Sequence, residues 1–224
     1  MSMKYLALVL AFLASTTWAA PVVVASQSTA TSGTSHVVSI PAGLIGERIY
    51  VVIVGDYSQL VIPSFSAPRG VGGYGVTLGG AACNHPAAAF NRLSDGTESS
   101  VTITSSVPVT AVAWVIRVSG MVVPVGSAVA SACHGQPVSY SDPSNINYPL
   151  FPGSTSQDTL WVAMTQYNGS APLSPPPGYG GTLSAQNTVN LSLAFYNSVS
   201  LVENPGQFIL PASAQSTALV FGIR

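Results

Sequence analysis

Charged side chains are scarce in this 224-residue sequence. Aspartate, glutamate, lysine and arginine make up 6% of the chain and the net charge is −1, whereas an ordinary soluble domain carries about 25% charged residues. The absence of a basic patch excludes nucleic acid as a partner. Apolar residues reach 47%, which excludes a disordered chain. Solubility therefore depends on serine, threonine, asparagine and glutamine, a composition that suits an exported protein or a subunit of a large assembly.

Catalytic motifs are also missing. The sequence contains no Gly-x-Ser-x-Gly elbow, no phosphate-cradling loop and no His-Glu-x-x-His motif. General acid–base catalysis needs two carboxylates in one cleft. Glu47 and Asp158 instead stand at strand entries, either solvated or paired with loop backbone, and Asp95 and Glu98 flank a turn glycine. We therefore expect no enzyme activity, no catalytic residue and no cofactor.

Cysteine is almost absent, and each of the two cysteines lies near a histidine, in Cys83-Asn-His85 and Cys133-His134. In an exported chain, a disulfide between Cys83 and Cys133 is the economical interpretation. Buried free thiols are a second. A tetrahedral zinc site built from all four side chains is a third, although their spacing is not that of a zinc finger. We predict no metal site and treat the disulfide as a hypothesis.

Residues 1–19 differ in character from the rest of the chain. A short basic start precedes the apolar run from Tyr5 to Ala14, and a cluster of small and hydroxylated residues follows before Pro21. This pattern is typical of a signal peptide cleaved after Ala19. The alternative is an uncleaved anchor, because the apolar stretch to Ala25 is nearly long enough to span a bilayer. A membrane would then be contacted only through this segment.

Residues 20–224 carry the pattern of a single all-β domain. Ile49 to Val54 is a continuous apolar run, as in a strand buried on both faces. Val101 to Thr104 alternates, as a half-buried strand does, and Ser94 to Thr97 has Asp-Gly turn chemistry. Beyond the N-terminal run, no segment keeps a helical apolar period. The sequence predicts an antiparallel β-sandwich that is jelly-roll-like.

The domain contains an internal repeat. Thr110 to Arg117 recurs loosely as Thr217 to Arg224. The other matches are Trp114 with Phe221, Glu47 to Val54 with Asp158 to Thr165, and Ala89-Phe90 with Ala194-Phe195. The period is too long for a solenoid repeat. We therefore predict two duplicated half-domains, about 46–120 and 157–224, whose strands interleave in one sandwich.

The order of these motifs is an apolar strand, a Pro/Gly-rich loop, an aromatic strand, a Ser-Asp-Gly-Thr-Glu turn, an alternating strand and an Ala/Val-rich strand, followed by a shorter recurrence. The segments that carry it are Ala42 to Gly55, Leu93 to Thr104, Ala113 to Gly120, Leu160 to Tyr179 and Ala218 to Arg224. This order resembles β-sandwich proteins on the virion surface of tailed bacteriophages, such as fibre, spike and decoration proteins. The resemblance implies a structural protein of the virion exterior, with copies of itself and other virion proteins as partners.

Two alternatives to the virion interpretation stay open. The signal-like start departs from phage proteins of this kind, which assemble in the host cytoplasm. A secreted bacterial subunit, either carbohydrate-binding and adhesive or part of a surface filament, is therefore the first alternative. An extracellular hydrolase is the second, and the scarcity of carboxylates disfavours it.

Tyrosines in loops are the candidate contacts to a host glycan. Those in or beside Gly-, Pro- or Asn-rich connections are Tyr57, Tyr74, Tyr140, Tyr148, Tyr167 and Tyr179. A tyrosine offers a rigid face for stacking on a sugar and a hydroxyl for hydrogen bonding. The alternative is that these rings pack at strand ends or at subunit contacts.

Overall fold

The computed structural model describes residues 20–56, 65–67, 76–78, 87–120, 129–141, 158–167, 174–186, 189–200 and 203–224. This part of the chain is all-β, which confirms the predicted class. It contains no helix, and hence none long and apolar enough to cross a membrane. The strands are β1 (Val22–Ser39), β2 (Arg48–Gly55), β3 (Phe65–Ser66), β4 (Val76–Leu78), β5 (Ala87–Leu93), β6 (Ser100–Ser119), β7 (Val129–Ser141), β8 (Thr159–Tyr167), β9 (Gly180–Gln186), β10 (Asn190–Ser198) and β11 (Phe208–Ile223). The segment 1–19 lies outside the described residues.

The strands form two antiparallel sheets. The first has the order β1-β6-β2-β5-β4, with β3 paired to β6, and the second has the order β7-β11-β8-β10-β9. Each order begins with the strand of that sheet that comes first in the chain, followed by the last strand and then the second; these first strands, β1 and β7, lie outside the predicted half-domains 46–120 and 157–224. The prediction that the halves interleave is wrong for the described strands. The last strand of each sheet pairs on both sides with strands of that sheet, so no place remains there for a strand of the other half.

The burial of the central strands agrees with their sequence patterns. In β2, every residue from Ile49 to Gly55 is buried, which confirms a strand covered on both faces. In β6, Val101 and Ile103 are buried, whereas Thr102 and Thr104 are exposed, which confirms the predicted alternation.

Buried side chains of both sheets meet in one apolar group, here called the shared cluster. It includes Tyr50, Val52 and Trp114 from the first sheet, and Val162 and Phe221 from the second. The rings of Tyr50 and Phe221 lie 5.9 Å apart between centroids. The two sheets therefore bury their apolar side chains against each other.

The opposite face of the first sheet carries an apolar cluster of its own. Ile49, Val51 and Ile53 pack there with Val38 and Ile103. The distal parts of β1 and β6 pair beyond a register shift that follows Gly33, whose φ is 113°. Glycine is favoured at this φ because it has no Cβ. Val38 and Ile103 belong to these distal parts, which therefore cover the second face of β2.

The predicted match between β2 and β8 is displaced by one residue. The match aligned Tyr50 with Trp161, but Tyr50 lies in the shared cluster, whereas Trp161 packs on the opposite face of its sheet. Successive strand residues point to opposite faces, so a one-residue shift reverses every side chain. Leu160, one residue before Trp161 in β8, does lie in the shared cluster. The match of Ala89-Phe90 with Ala194-Phe195 is displaced in the same way. Trp114 and Phe221, in contrast, both lie in the shared cluster.

Candidate functional site

Six of the seven charged residues that the structure describes between positions 46 and 120 lie at one end of the first sheet, and the seventh, Asp56, follows the other end of β2. The chain has only six lysines and arginines and seven acidic residues, and the following lie near this end: Glu47, Arg48, Arg92, Asp95, Glu98 and Arg117. They belong to the loop between β1 and β2, to the turn between β5 and β6, and to the adjoining strand ends. These connections approach each other because β6 lies beside both β1 and β2 in the sheet.

Arg117 is the centre of this group. Its side chain is 1% exposed, and its Nε donates to Glu47 Oε2 at 2.7 Å. Its two terminal nitrogens donate to the carbonyl oxygens of Pro41 (3.1 Å) and Leu44 (3.2 Å) and to the Ser94 hydroxyl. Glu47 also accepts the backbone N–H of Leu44 at 3.0 Å. Glu47 is thus buried and ion-paired. Of the two environments expected for it, the contact with loop backbone is present, whereas exposure to solvent is not.

The turn between β5 and β6 is held by its own carboxylates. Asp95 accepts the backbone N–H of Thr97 at 3.0 Å, and Glu98 accepts that of Asp95 at 2.8 Å. Arg92 pairs with both carboxylates, at 2.9 and 2.8 Å. Gly96 has a φ of 84°, as Asp-Gly turn chemistry requires. The predicted turn is confirmed.

The protonation of these turn carboxylates follows from their partners. Hydrogen bonds from Thr97 lower the pKa of Asp95. Burial raises the pKa of Glu98, but hydrogen bonds from backbone N–H groups and from the Ser94 hydroxyl outweigh it, and the pKa lies below its ordinary value. Both groups are therefore ionised acceptors near neutral pH, and neither is suited to donate a proton to a substrate.

Above this charged network, the loop and the turn present aliphatic side chains to solvent. Leu44 is 72% exposed, Ile45 is 78% exposed and Leu93 is 56% exposed. Ile45 lies directly over the turn, because a Cβ built on Gly96 would be 2.9 Å from Ile45 Cγ1. We call Leu44, Ile45 and Leu93 the apolar tip. A set of exposed aliphatic side chains on a rigidly held loop is suited to packing against another protein.

A second polar group lies on the second sheet. The rings of Tyr179 and Tyr196 are 5.4 Å apart between centroids. Burial, reinforced by the nearby charge of Glu203, raises the pKa of Tyr179, and burial also raises the pKa of Glu203. Tyr196 is 38% exposed; sequence reasoning missed it because it lies within a strand and not in a loop.

The candidate glycan contacts are distributed as follows. Tyr167 and Tyr179 are 3% and 7% exposed, so neither ring presents a face to solvent. Tyr167 packs in a small apolar cluster, and Tyr179 packs in another beside Trp161. Tyr140 lies on β7, opposite Ile209 of β11. Tyr57, Tyr74 and Tyr148 lie outside the described residues.

The cysteine–histidine pairs are only partly described. Cys133 and His134 are consecutive residues of β7, paired with Thr217 and Ser216 of β11. Cys83 and His85 lie outside the described residues, so the disulfide and the zinc alternative stay predictions. Within the described ranges, no group of three or more histidine, cysteine, aspartate or glutamate side chains is arranged to hold a metal ion.

These regions offer different chemistry to a partner. The network around Arg117 is internal and supports a loop, the apolar tip is exposed, and the pair of Tyr179 and Tyr196 is half-covered. No family model, curated protein or solved structure matches this chain.

Proposed function

We propose that this protein is a structural subunit of a virion exterior, a capsid decoration or a tail or fibre component, which packs against copies of itself and other virion proteins without catalysis. The observation that carries this proposal is the apolar tip. Arg117 and Glu47 hold the loop between β1 and β2 from within, and that loop presents Leu44 and Ile45 outward. An active site would instead direct its charged groups into an open cleft.

The architecture that we infer for this subunit is a β-sandwich of two duplicated halves. Two features support it: the strand order is the same in both sheets, and both sheets contribute side chains to the shared cluster. The contact of Gln166 with Gly55 adds a polar link, because Gln166 Nε2 donates to the Gly55 carbonyl at 2.8 Å. Among the described residues, the buried charged side chains Glu47, Arg117 and Arg224 lie at or beside strand ends, which leaves the outer surface of the sandwich for contacts between subunits.

The low charge of the chain supports the same role. Subunits that pack closely must desolvate whatever side chains lie between them, and an ionised side chain is costly to desolvate unless it is paired. Hydroxyl and backbone groups can pair across an interface at less cost. Ser, Thr and Ala make up most of β1, which contains no charged residue. Such a surface favours assembly of subunits over a monomer in solution.

A secreted adhesive or carbohydrate-binding subunit is the alternative that a specific observation favours. Tyr196 is partly exposed and stacks on Tyr179, with the Glu203 carboxylate nearby. An aromatic face beside a carboxylate suits a sugar ring with its hydroxyl groups. This alternative accounts for the signal-like N-terminus, whereas the virion proposal accounts for the resemblance to phage surface proteins.

The test compares the protein with a tip variant in the native source. Antibody against the full chain is applied to purified virus particles and to shed filaments, with gold labelling as the measurement. We then replace the tip by Leu44→Ser with Ile45→Ser, and use Val199→Ser with Ile209→Ser as a matched control, since those side chains are 60% and 52% exposed.

We expect label on particles and at least a tenfold loss of the tip variant from particles, at an unchanged melting temperature. The control variant should be incorporated normally. Label confined to filaments would favour the adhesive alternative, and normal incorporation of the tip variant would refute the role that we give to Leu44 and Ile45.

A further inference from the structure

The strand β1 lies at the edge of the first sheet. It pairs with β6 along one side, and no other described strand pairs with it. An edge strand presents a row of backbone N–H and C=O groups, which is a template for another strand. A strand that binds to such an edge therefore does so through its backbone, and its side chains determine whether it fits.

Devices that prevent edge pairing are missing from the middle of β1. Natural edges are protected by charged side chains, by proline or by bulges. The 18 residues from Val22 to Ser39 contain no charged residue and no proline. The register shifts occur only between Val23 and Ala25 and between Gly33 and Ser35. Ala25–Gly33 is thus an uninterrupted edge, about 30 Å long at the usual rise per residue.

The side chains of this segment are complementary to themselves. Apart from Gln27, the segment consists of Ala, Ser, Thr and Gly, and Ser26, Ser28, Ala30 and Ser32 are exposed. In an antiparallel pair centred on Thr29, Ser28 lies opposite Ala30 and Ser26 lies opposite Ser32. Every opposed pair is uncharged, and each pair except Gln27 with Thr31 is small, so the backbones can approach without like-charge repulsion and with little steric conflict.

We propose that Ala25–Gly33 pairs antiparallel with the same segment of a second copy of this chain, about a two-fold axis at Thr29. The contact joins the first sheets of two subunits into one continuous sheet. This inference rests on the proposed function, because it specifies the surface through which the structural subunit binds a second copy of itself. A two-fold contact is isologous: the same surface is used on both chains, and the assembly closes as a dimer.

The experiment uses pairs of charges that test the register as well as the contact. Ser28→Lys with Ala30→Lys places lysines opposite lysines in the dimer. Ser28→Glu with Ala30→Lys uses the same two positions but places opposite charges across the axis. Asn197→Lys with Val199→Lys is the control, since both residues are exposed at or just after the end of β10, which is not an edge strand.

Sedimentation equilibrium of the full chain at low salt gives the dimer dissociation constant. We expect a wild-type dimer, a dissociation constant raised about tenfold in the lysine–lysine variant, and wild-type values in the glutamate–lysine variant and in the control. A wild-type monomer at every concentration would overturn the inference. Equal dissociation constants for the two edge variants, or equal weakening by the control, would also overturn it.

A second measurement is independent of how well the variants fold. Amide hydrogen exchange of wild type is recorded above and below the dimer dissociation constant. The N–H groups of Ala25–Gly33 that face away from β6 should be protected only in the dimer, and equal exchange at both concentrations would contradict the pairing. A monomer that is still found on virus particles would refute this contact and leave the structural role standing, with a strand of another virion protein as the occupant.

Discussion

Replacing Gly43 by alanine tests the role of the buried ion pair. A Cβ at this position would lie closer to Nε of Arg117 and to Oε2 of Glu47 than side-chain contacts allow. The guanidinium cannot retreat, because it is 1% exposed and its hydrogen bonds to Glu47, Pro41, Leu44 and Ser94 hold it on several sides. Either the loop or the ion pair must therefore shift.

The size of the effect follows from what the shift disrupts. Separating the partners of a buried ion pair costs about 3–5 kcal/mol, and a hydrogen bond to a charged group contributes about 1.5–3 kcal/mol. The loop can move by a fraction of an ångström, so we expect a loss of about 3 kcal/mol in the free energy of unfolding for Gly43→Ala. Urea denaturation at pH 7 measures it, and an unchanged dependence on denaturant would show that the folded state stays compact.

The matched control is Gly180→Ala. A Cβ at Gly180 meets no atom within 4 Å, and no positive φ disfavours alanine there. Its effect should stay within about 1 kcal/mol and tend toward stabilisation, because alanine restricts the unfolded chain. A loss below about 1 kcal/mol for Gly43→Ala, or the same loss for both variants, would refute the view that Arg117 and Glu47 fix this loop.

Three further predictions concern buried or half-buried side chains. Phe221→Ala should cost about 3–5 kcal/mol in urea denaturation, because Phe221 is 2% exposed in the shared cluster; a cost below about 1 kcal/mol would contradict this core. Burial lowers the pKa of His36 below 6.5, so stability present above pH 6.5 should fall as pH drops toward the lowered pKa; thermal melts of His36→Gln should lose this dependence, and an unchanged dependence would exclude His36 as its source. Burial raises the pKa of Glu203 above 4.5, so its contribution is complete below pH 4.5 and is lost as pH rises through the raised pKa. Glu203→Gln should therefore increase the melting temperature at pH 7 but not at pH 4, and equal shifts at both pH values would argue against this.

Features with a local chemical cause were predictable from the sequence. The turn at Gly96 follows from Asp95 and its neighbours, because an Asp-Gly pair favours positive φ. The burial of β2 follows from its uninterrupted apolar run, and the alternation from Val101 to Thr104 follows from its period of two. In each case the residues that define the feature are adjacent in the chain.

Features that depend on distant residues were not predictable. Arg117 and Glu47 are separated by 70 positions, and no local pattern indicates that they meet. Most of β1 was missed because its Ser, Thr and Ala residues lack the apolar alternation of a half-buried strand. This strand forms because β6 offers it a long partner, so tertiary pairing, and not local propensity, determines it.

The one-residue displacement of the predicted match between β2 and β8 also depends on distant residues, and it shows what sets the register of the strands. A strand that is apolar at every position gives no sign of which residues face the shared cluster, so β2 and β8 can be aligned one residue apart without any visible penalty. The polar residues at strand ends remove this ambiguity. Arg117 follows Ile116 of the shared cluster and is buried with Glu47, and Arg224 follows Ile223 of the same cluster and donates to the Thr159 hydroxyl at 3.0 Å. A shift of β6 or β11 by one residue would place its arginine in the apolar cluster, where an unpaired charge is far more costly than an apolar mismatch. The register of each sheet is therefore fixed by its buried arginine, while the apolar runs supply the stability.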